Sequence, residues 1–282
     1  MEICNTLEQY EKVISLLPKD CIIGFVPTMG ALHPGHISLV KEAKKYSNTV
    51  VVSIFVNPVQ FNNPDDLASY PRTVEADCKM LRDAGADIVL IPSEKEIYPT
   101  SKSREFDLGG LDTTGEGARR PGHFNGVARV VTRLFEIVKP QFAFFGEKDF
   151  QQLAVIKHFT KELNYPVQII SCPTIREEDG VAMSSRNMLL SMEHRKAAPR
   201  IHSTLVKAKE MCSKKENPDI FEITEWVKNQ INTNPLLKAE YAEAVEPMTM
   251  KVVTDWNSSP DIQLCVAVFA DNVRLIDNIK LK

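Results

Sequence analysis

Four short runs of this sequence contain residue types that do chemistry at useful spacing. In Pro27-Thr-Met-Gly-Ala-Leu-His-Pro-Gly-His36 the two histidines, His33 and His36, are three positions apart. One turn of helix aims such a pair the same way, and a helix N-terminus favours an anion such as phosphate. The same pair would also suit a metal ion, and an ordinary loop with two solvent histidines is the plain alternative. In Phe55-Val-Asn-Pro-Val-Gln-Phe61, the amides of Asn57 and Gln60 both donate and accept, which suits hydroxyls and carboxylates. A turn whose amides serve only the backbone would look the same. Gly146-Glu147-Lys148-Asp149, followed by Gln151 and Gln152, puts a lysine beside an aspartate. That pair can hold a phosphate and orient a metal-bound one, or it can be a surface turn. Met183-Ser184-Ser185-Arg186-Asn187 adds two hydroxyls and a guanidinium, whose planar fork matches phosphate oxygens.

The elements around these runs give them weight. Cys21–Val26 and Thr49–Val56 are apolar runs, the second β-branched and suited to a strand buried on both faces. Asp87–Ile91, Phe142–Phe145 and Val167–Ile170 are further strands. Between them lie helical patterns near Leu7–Leu17, up to about Tyr46, over Thr73–Ala84, through Val127–Val138, and at Leu153, Ile156 and Phe159. Strand–helix alternation at this spacing predicts an α/β fold, a parallel sheet with helices on both faces, in which ligands bind beyond the carboxyl ends of the strands. Three of the four runs follow strands directly, and the fourth comes just after the last strand. Beyond Ile175 the pattern changes to helices near Met192–Cys212 and Ile220–Ile231. Alternating strands follow at Tyr241–Glu246 and Ile262–Phe269, with a turn at Asp271–Asn272 into Arg274–Ile279. The expected organisation is a nucleotide-type domain over residues 1–175 and a smaller α+β C-terminal domain over 176–282.

Composition narrows the classes. The 282 residues are 43% hydrophobic and 25% charged with net charge −3, which excludes wholesale disorder and argues against nucleic acid as a partner. No apolar run is long enough to suggest a membrane span, and Met1–Lys12 is not a secretory leader, so the expected location is cytoplasmic. The six cysteines include no CxxC pair and are expected to be free thiols. Imidazoles, a lysine, an arginine and neutral amides gathered at strand ends suggest nucleotidyl transfer to a small polar acid. A metal hydrolase using His33 and His36 would lack a clear third ligand. A silent ATP-binding regulator is the third alternative.

Taken together and in order, PTMGALHPGH, FVNPVQF, YPRT (Tyr70–Thr73), RRPGHFNGV (Arg119–Val127), FFGEKDFQQL (Phe144–Leu153) and DGVAMSSRN (Asp179–Asn187) resemble the pantothenate synthetase (pantoate–β-alanine ligase) family of HIGH-type nucleotidyltransferases. The likeness covers essentially the whole chain. Pro34 and Val59 depart at tolerant positions, and Ala182 stands where related synthetases carry a lysine.

The resemblance implies a Rossmann-like domain with a small C-terminal lid domain, usually in a homodimer. It implies an AMP-forming acid–amino-acid ligase of pantothenate and coenzyme A biosynthesis, using ATP, Mg²⁺, pantoate and β-alanine. It places Met29, Gly30, Ala31, Leu32, His33, Pro34, Gly35 and His36 on ATP, with Gly146, Glu147, Lys148, Asp149, Ile175, Met183, Ser184, Ser185 and Arg186. His36, His33, Lys148 and Arg186 are the expected catalytic groups, Gln60 and Gln152 would contact pantoate, and Gln60 also β-alanine. No metal ligand is assigned. The loop from Ser101 to Asn125, with its five glycines, and the C-terminal domain reached through Ile175–Asn187 are the expected lids. Arg120 and His123 in that loop are either substrate contacts or structural.

Overall fold

The computed structural model describes residues 1–62, 64–100 and 104–282; Ser101, Lys102 and Ser103 of the expected lid loop lie outside it. Six parallel strands, β1 (Glu2–Cys4), β2 (Ile23–Thr28), β3 (Thr49–Ile54), β4 (Ile88–Leu90), β5 (Phe142–Gly146) and β6 (Gln168–Cys172), form one sheet in the order β1-β4-β3-β2-β5-β6. The central strands are apolar on both faces because both are covered: every residue of β3 is buried, and Phe25 and Val26 of β2 are fully so. Helix Pro34–Tyr46 buries Leu39, Val40 and Ala43, and helix Val74–Ala84 buries Cys78 and Leu81 in the same core. Gly85 ends the second helix in the left-handed conformation at φ 83°. The chain runs from β2 outward through β3 to β4, then returns to β5 on the other side. The switch point therefore lies between β2 and β5, where an open α/β sheet presents its ligand crevice.

The chain divides into two compact units. The first comprises Met1–Leu108, Arg120–Glu147 and Val155–Pro173; the second comprises Gly109–Arg119, Lys148–Ala154 and Thr174–Lys282. The second unit holds the antiparallel sheet β7 (Lys238–Val245), β8 (Gln263–Ala270) and β9 (Val273–Lys280), in that order. Its core joins Ile201, Leu205, Ile223 and Val227 of the helices to Leu264, Val266 and Val268 of β8. Asp271, at φ 55°, makes the expected turn between β8 and β9.

Several elements differ from the sequence reading. Strand β1 went unread because three residues, two of them exposed, carry no periodic signal. The single helix expected near Met192–Cys212 is two, Met192–Ala197 and Pro199–Ser213, since Pro199 has no N–H to continue the first. Strand β7 begins three residues before Tyr241, and a register irregularity between Ala239 and Tyr241 interrupts its alternation there. The expected lid loop contains a helix, Gly115–Arg119, and runs into helix His123–Val138, which starts ahead of the apolar stripe. All six cysteines are unpaired, as expected.

Candidate active site

The histidine loop leaves β2 at Thr28, whose hydroxyl donates to the Ser53 carbonyl at 2.7 Å. Gly30 and Ala31 both take positive φ, 83° and 48°, so the chain turns sharply and successive N–H groups point the same way. An added Cβ at Gly30 would lie 3.1 Å from both Asp77 Oδ2 and Ile54 Cγ2, so glycine is needed for space as well as conformation. The Ala31 and Leu32 N–H groups donate to Asp77 Oδ2 at 3.0 Å and Oδ1 at 2.8 Å, and the Thr73 hydroxyl donates to Oδ1 at 3.0 Å. Asp77 is 1% exposed. The sequence reading missed it because an aspartate in the first turn of an amphipathic helix has an ordinary reading as dipole compensation.

His33 is the N-cap of helix Pro34–Tyr46. Its Nδ1 accepts from the Gly35 N–H at 3.2 Å, while His36 Nδ1 accepts from the His33 N–H at 3.3 Å. This reciprocal capping, a job usually done by Ser and Glu, explains the three-residue spacing. It also decides the tautomer. With each Nδ1 accepting, the neutral ring proton sits on Nε2, so both imidazoles are Nε2–H donors. The rings lie 4.1 Å apart between centroids. The sequence alone suggested that the helix N-terminus here would itself favour an anion. Instead the N–H groups of Ala31, Leu32, His33 and Gly35 are engaged by the chain itself, and side chains are left to present the donors.

At the end of β3, Asn57 is almost fully buried and entirely used by the protein. Its Oδ1 accepts from the Val59 N–H and from the Tyr98 hydroxyl at 2.8 Å; its Nδ2 donates to Gln60 Oε1 and to the Gly126 carbonyl, both at 3.1 Å. Asn57 is thus a support, and it takes the acceptor end of the Gln60 amide. Gln60 Nε2 is left against the Met29 sulfur at 3.0 Å, a weak acceptor that a carboxylate or hydroxyl would outcompete. Burial pushes the Tyr98 phenol well above its ordinary range, so it stays a donor. His123 Nδ1 lies 2.8 Å from the Gln60 carbonyl, which can only accept, so that nitrogen carries the proton and Nε2 accepts from Arg120 at 3.2 Å. These two contacts fix the orientation of the His123 ring beside the Gln60 turn. Helix His123–Val138 comes so close to the turn that a Cβ at Gly126 would meet Gln60 Cα and the Val59 carbonyl oxygen at 2.8 Å.

Gly146 ends β5, the neighbour of β2, with Glu147 directly after it, and a Cβ at Gly146 would face open space. In the second unit, the Lys148 carbonyl accepts from Asn278 Nδ2 at 3.0 Å, and its ammonium lies 3.8 Å from Asp149 Oδ2. Gln151 is buried and saturated: it donates to the carbonyls of Leu111 and Thr114 at 2.7 and 2.9 Å and accepts from the Glu116 N–H at 2.8 Å. Gln152 beside it is partly exposed. The Ile175–Met183 segment is a short hairpin, closed by Met183 N–H to Ile175 O at 3.0 Å. Arg176 grips Asp277 with two bonds of 2.7 and 2.9 Å, and Arg195 bridges Asp179 and Glu177 at 2.6 Å each. Ser184 Oγ accepts from the Arg186 N–H, starting the 3-10 turn that carries Ser185 and Arg186. None of these anchoring carboxylates was singled out from sequence, since long-range ion pairs leave no local pattern.

The parallel sheet, the histidine-capped loop at its switch-point strand and the Gly146 terminus of the adjacent strand define an α/β enzyme of the nucleotide-handling kind. The pantoate-beta-alanine ligase family model matches residues 2–280. The chain belongs to the pantoate–β-alanine ligase family. A pantothenate synthetase of Bacteroides fragilis is 46% identical over 283 residues, covering 100% of this chain and 99% of that protein. One from Porphyromonas gingivalis is 46% identical over 99% of both. The crystal structure of a Thermus thermophilus pantothenate synthetase superposes with a TM-score of 0.91 at 39% identity, covering 100% of this chain and 99% of that one. The Francisella tularensis pantoate-beta-alanine ligase, solved with beta-gamma ATP and beta-alanine, gives 0.84 at 37% identity over 100% and 98% of the two chains.

Proposed function

We propose that this protein condenses pantoate with β-alanine to pantothenate at the expense of ATP, through pantoyl-adenylate, releasing AMP and pyrophosphate. The observation that carries the reading is the reciprocal capping of His33 and His36 at the end of the switch-point strand, in a chain of this family. In the first step the pantoate carboxylate attacks the α-phosphorus, a mixed anhydride forms, and pyrophosphate leaves. Both reactants are anions, so the barrier is largely electrostatic. His33 and His36 donate to phosphate oxygens as charge builds, while Lys148 and Arg186 neutralise the triphosphate. The remaining residues of Met29–His36, with Gly146, Glu147, Asp149, Ile175, Met183, Ser184 and Ser185, complete the nucleotide site.

In the second step the β-alanine amine attacks the anhydride carbonyl, the C–N bond forms, and AMP departs. Gln60 and Gln152 position pantoate, and Gln60 also β-alanine. A neutral amide suits this role: a carboxylate there would repel pantoate, and a lysine could attack the adenylate. Among the described residues no group of three His, Cys, Asp or Glu side chains could hold a metal ion. The reading has Mg²⁺ arrive as the MgATP substrate, held mainly by phosphates and water. No helix among the described residues is long and apolar enough to cross a membrane. A cytoplasmic homodimer is part of the reading, and sedimentation equilibrium should return twice the 31.7 kDa chain mass.

The deciding experiment is ATP–pyrophosphate exchange with MgATP and pantoate, β-alanine absent. Pantoate-dependent exchange supports the acyl-adenylate route. No exchange, with no AMP released when β-alanine is added, would overturn the reading and point to another HIGH-type nucleotidyltransferase with a different small substrate.

A further inference from the structure

We propose that Asp77 is a positioning residue for catalysis: its carboxylate occupies the anion-receptive turn at Gly30–Leu32 from inside the protein and so sets the direction of His33 and His36. This rests on the reading that Met29–His36 holds ATP. Two successive N–H groups converging on one point normally form a seat for an external anion. Here both are committed to a single side chain, Ala31 N–H to Oδ2 at 3.0 Å and Leu32 N–H to Oδ1 at 2.8 Å, with the Thr73 hydroxyl as a third donor at 3.0 Å. Asp77 is 1% exposed, so no phosphate can replace it without disrupting the turn.

Asp77 is held at its backbone as well as at its carboxylate. Its own N–H donates to the Thr73 carbonyl at 2.8 Å in the first turn of helix Val74–Ala84. That helix buries Cys78 and Leu81 in the core that also takes Leu39, Val40 and Ala43 of helix Pro34–Tyr46. Asp77 therefore ties the loop to the same packed layer that carries the histidine-capped helix. Leu32, whose N–H it holds, directly precedes the capping residue His33. A shift of the turn rotates the imidazole pair off the phosphate oxygens, because both Nε2–H directions derive from the cap.

Asp77→Asn tests this. Whichever way the amide turns, its NH₂ meets one of the two loop N–H groups, donor against donor, while size is kept. Calorimetry with MgATP should show a dissociation constant raised about fivefold or more, at a melting temperature within a few degrees of the parent. Pantoate-dependent exchange should fall about tenfold or more, with KM for pantoate within about twofold. A merely structural role would lower the melting temperature and leave the affinity of the folded fraction for ATP unchanged. Folded Asp77→Asn with parental ATP affinity and exchange would overturn the proposal. If Asp77→Asn does not fold, Thr73→Val removes one donor and leaves the carboxylate in place. A weakened ATP affinity there supports the proposal, and parental affinity overturns it. A parent that binds MgATP but shows no pantoate-dependent exchange removes the substrate reading alone, and the ATP affinities still decide the role of Asp77.

Discussion

In the proposed mechanism His36 and Lys148 donate to a charge that develops late, so their loss should appear chiefly in turnover, with the fold retained. His36→Ala and Lys148→Ala are each expected to slow pyrophosphate exchange by about a hundred- to a thousandfold, equivalent to about 2.7–4 kcal/mol. The far-ultraviolet circular dichroism should stay that of the parent; a variant with full exchange would remove that residue from the mechanism. For His36→Ala a small loss of stability is also expected, since the ring caps its own helix. Gln60→Ala should raise KM for both pantoate and β-alanine, since the proposed site sets substrate against the Gln60 NH₂, its Oε1 already accepting from Asn57. Unchanged kinetics for both substrates would exclude it from the site.

At the scale of elements, two contacts hold the machinery. The 3-10 turn Pro58–Gln60 is pressed against helix His123–Val138, where Gly126 leaves no room for a methyl group. Gly126→Ala should therefore cost about 1–3 kcal/mol by overpacking, read as a lower urea midpoint, and should weaken pantoate binding by displacing Gln60. In the second unit the Gly109–Arg119 segment is fastened by Glu116, whose carboxylate accepts from Arg274 at 2.6 and 2.7 Å and from the Tyr241 hydroxyl at 2.8 Å. Glu240 accepts from the same guanidinium at 2.6 and 2.9 Å. Arg274→Met would leave two carboxylates without their shared cation, at a cost of about 3–5 kcal/mol in thermal or urea unfolding. The expected lid loop is thus partly a tied strap: residues 109–119 belong with the β7–β9 unit, bound by charges that local composition does not advertise.

Across the whole molecule, pH should act on stability through His202. Burial first, and then the Arg176 guanidinium, hold its imidazolium below the usual 6.5, against the opposing pull of Asp277 at 3.7 Å. As pH falls through 6.5 the unfolded chain takes up a proton that the folded chain refuses, so stability is full above that value and declines below it. The melting temperature should drop between about pH 7.5 and 5.5, and His202→Gln should flatten the drop. Equal slopes for parent and variant would show that His202 does not contribute. The Asp179 carboxyl, lowered chiefly by its bond to Arg195, acts in a separate window, losing its stabilisation only in stronger acid.

Much of this protein is written locally. Apolar runs such as Thr49–Ile54, stripes such as Val127–Val138, and the left-handed stop at Gly85 set the parallel sheet and its helices, because burial and backbone geometry act over a few neighbouring residues. The short motifs after the strands pointed to the right family for a similar reason: each is a compact run placed by one strand end. The partners that make those motifs work are another matter. Asp77 under the histidine loop, Asn57 and Tyr98 around Gln60, Gly126 beside its turn, and Asp277 and Glu116 in the second unit come from residues as many as 158 positions away. Even the tautomer of His33 and His36 rests on which backbone N–H each Nδ1 meets. Hydrogen bonds and ion pairs depend on distance and direction in space, and sequence separation carries neither.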